Sequence, residues 1–175
     1  MMQSRISLTT KTAYLGMFLA MSLILSYIDS TIPVFATLPG VKIGLANLPV
    51  VLCLYVFEAR YAFGLTILKA AIAALLFGSM FSLLYGMTGA VLSCAVMSAV
   101  KKTGFIHIIT ISVLGAVSHN LGQLIVAIIV VKNTGILFYG VVLLIAGVAT
   151  GLVIGILSKW TLPTFKRMIY KGEMN

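Results

Sequence analysis

The stretch IITISVLGAVSHNLGQLIVAIIVV, residues 108–131, decides the class of this protein. No Asp, Glu, Lys or Arg interrupts it, and at 1.5 Å of rise per residue such a run crosses the roughly 30 Å hydrocarbon core of a bilayer. Working outward from it, further apolar windows lie at 12–29, 43–57, 61–78, 83–100 and 137–158, separated by Gly, Pro or short polar breaks. The reading is therefore all-α: one polytopic membrane domain over residues 1–175 with about six transmembrane helices. The window at 43–57 is short for a full crossing.

Composition agrees with a chain that lives in the cell membrane as a multi-pass protein. Charged residues make up 9% of the sequence and apolar residues 61%, with a mean hydropathy of +1.17. The net charge of +9 falls at the ends of apolar runs and forms no basic stripe with interleaved aromatics, so no nucleic-acid partner is implied. It reads instead as a topology signal. With the N-terminus inside, Arg5, Lys11, Arg60, Lys101, Lys102, Lys159, Lys166, Arg167 and Lys171 lie on the cytoplasmic side and only Lys42 and Lys132 on the outer side, which places both termini in the cytoplasm. Arg5 and Lys11 ahead of an apolar run, with VFA at 34–36, imitate a cleavable signal, but the recurrence of spans favours a retained first helix. Cys53 and Cys94 sit in apolar runs without ligand spacing and read as inert thiols; neither a metal nor a cofactor is implied.

Against this background the intramembrane polar residues stand out. Lys69, in GLTILKAAIAALL, lies near the middle of the third span, where a charge costs about 2.5 to 3.5 kcal/mol on insertion scales and marks a functional site by default. Its readings are a pair with Asp29, snorkelling to an interface, or a cation facing a hydrated cavity that receives an anionic group. His119 and Gln123 share one helical face with Asn120 beside them, reading as a cavity wall or as interhelical hydrogen bonding. Lys42 and Asn47 lie near the outer surface at the start of a helix, suited to capture of a phosphate or carboxylate.

Small residues form two stripes. Gly147, Gly151 and Gly155 double a GxxxG spacing in the last span, and Gly16 and Ala20 repeat it in the first; packing inside the bundle accounts for both, and the sharper reading is that the first-helix stripe Ala13, Gly16 and Ala20 faces a partner protein.

The stretches LPGVKIGLANLP (38–49), GSMFSLLYGMTGAVLS (78–93) and GAVSHNLGQL (115–124) resemble those of the heptaprenyl diphosphate synthase component I family, also called the Gx transporter family, over roughly residues 12–158. That family in turn is similar to the S components of energy-coupling factor (ECF) vitamin transporters. The resemblance implies an S-component-like bundle that binds a ligand near the outer face and docks on an ATPase and transmembrane coupling module through the first helix. Gly16 and Ala20 would stand in the docking stripe, Gly16 where an Ala is usual. Lys42, Asn47, Lys69, His119, Asn120 and Gln123 match the family's polar positions and are the expected ligand contacts.

The implied ligand is a small anionic or amphipathic molecule, either a phosphorylated isoprenoid or a vitamin-like anion. The family name implies an alternative partner, a prenyl synthase subunit that this chain assists. No catalytic residue is assigned. Prenyl elongation needs acid-rich Mg²⁺ sites, and the sequence holds no close pair of acids, no P-loop, no GxSxG elbow and no HExxH.

Overall fold

The computed structural model describes residues 6–31, 43–132 and 136–171. They form six α-helices: α1 (Leu8–Thr31), α2 (Leu48–Val56) with a 3-10 turn at Leu45–Asn47 before it, α3 (Ala59–Phe77), α4 (Met80–Lys102), α5 (Ile108–Val131) and α6 (Ile136–Lys171). Five of these are long and apolar enough to cross a membrane, and the protein is a multi-pass membrane protein. Their outward surfaces carry Ile24, Leu75, Ile129, Phe138 and Ile145 exposed, a costly arrangement in water and the expected one in lipid.

The second apolar window is not a crossing helix. A three-residue 3-10 turn and a nine-residue α-helix span only about 20 Å, short of the hydrocarbon thickness. Pro49 sits in the first turn of α2, where its missing N–H costs nothing, and Pro49, Val50, Val51, Leu52, Cys53, Leu54 and Val56 are all buried. A helix apolar all round and enclosed by protein belongs to the core. Gly44, at φ 77°, makes the left-handed turn that starts this segment, a conformation glycine adopts without strain.

One end of the bundle gathers the basic residues. Lys101 at the end of α4 donates its Nζ to the Leu54 carbonyl of α2. Lys11 of α1 lies 5.9 Å and Arg60 of α3 4.8 Å from the centre of the Tyr61 ring, and Phe165 of α6 packs on Phe18 of α1 with ring centres 5.3 Å apart. The described ends of the chain therefore share one side, and Lys132 lies at the far end of α5. α6 is longer than its apolar window, running 36 residues through Pro163. Beyond residue 158 its Leu162, Phe165 and Ile169 join the core cluster that holds Ile6, Phe18 and Phe57, and this packing carries the helix past a proline that removes one of its hydrogen bonds.

Helix α5 is clamped between α4 and α6 at glycines. A Cβ at Gly122 would stand 2.8 Å from the Gly89 Cα, and one at Gly89 would stand 2.6 Å from the His119 carbonyl oxygen. On the other side, Cβ atoms at Gly151 and Gly155 would meet the Cα atoms of Val113 and Ile109 at 2.6 and 2.7 Å. The GxxxG stripe of α6 is thus spent on packing within the chain, the close approach that drives association in lipid. The α1 stripe is different: Ala13, Gly16 and Ala20 are exposed, and a Cβ at Gly16 would meet nothing within 4 Å among the described residues.

Candidate functional site: a polar cavity inside the bundle

The turn before α2 lies inside the bundle, so its backbone groups need partners that lipid cannot supply. Two charged side chains provide them. A carboxylate oxygen of Asp29, on α1, accepts the Ala46 N–H at 3.2 Å. Lys69, on α3, donates its Nζ to Asn47 Oδ1 at 2.8 Å and to the Ala46 carbonyl at 3.4 Å. Lys69 and Asp29 are only 7% and 8% exposed, and both bond the backbone of Ala46 in this turn. The charge in the middle of the third span is therefore held, together with the acid of the first helix, by a piece of irregular backbone.

Above that turn opens a cavity of about 170 Å³. It is built at helical spacing from most of the bundle. Ser26, Asp29 and Ser30 come from α1, Gly44, Ala46 and Asn47 from the turn, Lys69, Ala70, Ala73 and Ala74 from α3, and Ser82, Gly86 and Ala90 from α4. Helix α5 gives Ala116, His119, Asn120 and Gln123, and α6 gives Thr150. Residues three and four apart on a helix share a face, so each contributing helix turns one polar or small-residue stripe inward. The void exists because those stripes are Ala, Gly and Ser where a packed core would carry Leu or Phe.

Five of the six expected ligand contacts, Asn47, Lys69, His119, Asn120 and Gln123, line this one cavity. Lys42 lies outside the described residues. Asn120 also donates its Nδ2 to the Leu143 carbonyl of α6 at 2.6 Å, so it ties α5 to α6 while bordering the space. Gln123 is 7% exposed, and its Oε1 is buried without a hydrogen-bond partner among the described residues. Leaving such an acceptor unpaired costs about 1–3 kcal/mol.

Sequence reasoning weighed Asp29 only as a partner for Lys69 and did not name Ser26, Ser30, Ser82 or Thr150. The available signal was the small-residue spacing Ser82, Gly86, Ala90 on α4 and Ala70, Ala73, Ala74 on α3, which clears space when it faces inward.

The fold and cavity define a helical, multi-pass membrane protein with a polar chamber lined by its own helices. The chain belongs to the family described as heptaprenyl diphosphate synthase component I, whose model matches residues 18–161. That name makes its members one component of a prenyl synthase and so implies a second subunit. No curated protein and no solved structure matches the chain.

Proposed function

We propose that this chain is the substrate-binding membrane subunit of an ECF-type transporter, capturing a small ligand from the side opposite its basic end. The observation that carries this reading is the convergence of Asn47, Lys69, His119, Asn120 and Gln123 on one cavity. A chamber of small residues with a few placed polar groups is the general form of a small-molecule site, and intramembrane polar residues around a cavity mark substrate pathways.

The α1 stripe supplies the second half of the proposal. Ala13, Gly16 and Ala20, exposed on a helix whose other face is packed, would let a helix of a coupling module approach closely. Catalysis then belongs to the partner, and this chain binds and releases.

Native mass spectrometry of the gently purified protein tests the proposal, with Ala73→Phe as a cavity-filled control. The expected result is one small molecule per chain, absent from the variant. A wild-type protein without ligand, whose stability Ala73→Phe raises or leaves unchanged, would contradict it.

The family name favours a second reading, in which the chain is a non-catalytic accessory of heptaprenyl diphosphate synthesis. It predicts that a soluble prenyl synthase copurifies with the chain, and that adding the chain back changes product length or rate.

A further inference from the structure

Resting on the ligand-binding reading above, we propose that the cavity takes a small molecule of balanced charge, uncharged or zwitterionic, and rejects a phosphorylated one. Its charged lining among the described residues is one carboxylate and one ammonium, Asp29 and Lys69. Neither is arranged as half of an anion clamp. Two of the three Lys69 donors go to Asn47 and Ala46, and Asp29 holds the Ala46 N–H on the same turn, so a carboxylate grips the same backbone residue as the lysine a phosphate would have to approach.

A phosphate monoester brings about 1.5 to 2 negative charges at neutral pH and is met in proteins by Arg forks, several lysines or a metal ion. No arginine lines the cavity among the described residues. Counting Lys42, which lies outside those residues, would leave a surplus of one positive charge, still below what a diphosphate needs. Lys69 and Asp29 are themselves withdrawn from solvent, at 7% and 8% exposed, where uncompensated charge is strongly unfavourable.

The opposite wall supplies different chemistry. Asn120 and Gln123 are amides that both donate and accept, and the His119 imidazole does the same in its neutral form. Groups of this kind recognise amides, hydroxyls and ring nitrogens. At about 170 Å³ the chamber lies below the roughly 300–1,000 Å³ of drug-sized sites, so the ligand, or the part of it held here, is small.

The experiment uses the full chain in detergent, with inorganic pyrophosphate as the probe, binding being read by thermal shift and calorimetry. Wild-type protein is expected to show no binding at millimolar pyrophosphate. Asp29→Asn keeps an oxygen for the Ala46 N–H while removing the negative charge, and Ser30→Lys adds a cation at an exposed lining position. Each should bind pyrophosphate at least about tenfold more tightly than wild type. Ser30→Lys keeps the test decisive should Asp29→Asn fold poorly. Any molecule released from the wild-type protein should contain no phosphorus.

Micromolar pyrophosphate binding by wild type, or a released ligand bearing phosphate, would overturn the inference while leaving the binding-subunit function standing. Folded variants that bind pyrophosphate no better than wild type would also overturn it. Failure of the function itself reads differently, as a ligand-free wild type indifferent to Ala73→Phe.

Discussion

Replacing Lys69 by Met keeps the length and apolar stem of the side chain and removes the ammonium. Two bonds vanish, at 2.8 Å to Asn47 Oδ1 and 3.4 Å to the Ala46 carbonyl, and the Asp29 carboxylate stays buried beside the same turn. A hydrogen bond to a charged group contributes about 1.5–3 kcal/mol, and removing one member of a buried ionic arrangement costs about 3–5 kcal/mol. Interhelical bonds in membranes are weaker than in water-soluble cores, so the low end applies, about 3 kcal/mol. For a chain of this length that corresponds to a fall in melting temperature of roughly 6–12 °C.

Thermal unfolding in a mild detergent measures it, with Lys132→Met at the far end of α5 as the silent control. The double variant Asp29→Asn, Lys69→Met removes both charges and should recover at least about 1 kcal/mol relative to the sum of the single changes, the signature of coupled neighbours. A Lys69→Met protein that melts with wild type, or strictly additive changes in the double variant, would refute the joint hold of Lys69 and Asp29 on the turn before α2.

Other consequences of the packing can be checked with the same assay. Gly122→Ala drives a Cβ to 2.8 Å from the Gly89 Cα, backbone against backbone, and should cost about 1–3 kcal/mol; an unchanged melting curve would deny the α4–α5 contact. Gly16→Leu meets open space and should stay within about 0.5 kcal/mol of wild type, yet abolish copurification with a coupling partner if α1 docks there. Asn120→Ala loses the 2.6 Å bond to the Leu143 carbonyl and should cost about 0.6 to 1.7 kcal/mol. Cys53 and Cys94 are buried thiols, so a maleimide should label neither in the native protein and both after denaturation; fast native labelling would contradict their burial.

Much of this architecture was legible in the sequence. The span at 108–131 coincides with α5 because uninterrupted apolar length is a sufficient signal in lipid. The segment at 43–57 reads as short for a full crossing, and an apolar run of that length fits a short crossing or a core helix alike; the burial of most of LPVVLCLYV favours the core helix. The apolar window at 137–158 stops short of the end of α6 because apolar length alone does not show the tertiary packing of Phe165 and Ile169 that carries the helix on.

At the site, the polar residues of α3 and α5 could be found from their cost in a membrane. The partners of Lys69 could not. Ala46 offers only backbone atoms, and a backbone carbonyl carries no sequence signature. Asp29 stands two residues from the end of α1, and its burial comes from a tertiary contact with Ala46, which no local pattern marks.

The central claim is that the helices line a chamber that holds a small molecule. A high-resolution structure of the protein purified gently from its own membrane tests it most directly. The account predicts non-protein density in the chamber, within hydrogen-bond distance of His119 or Gln123 and without a phosphate group. A chamber closed by collapsed side chains, with Gln123 paired to a neighbouring helix and no density between α1 and α5, would contradict it.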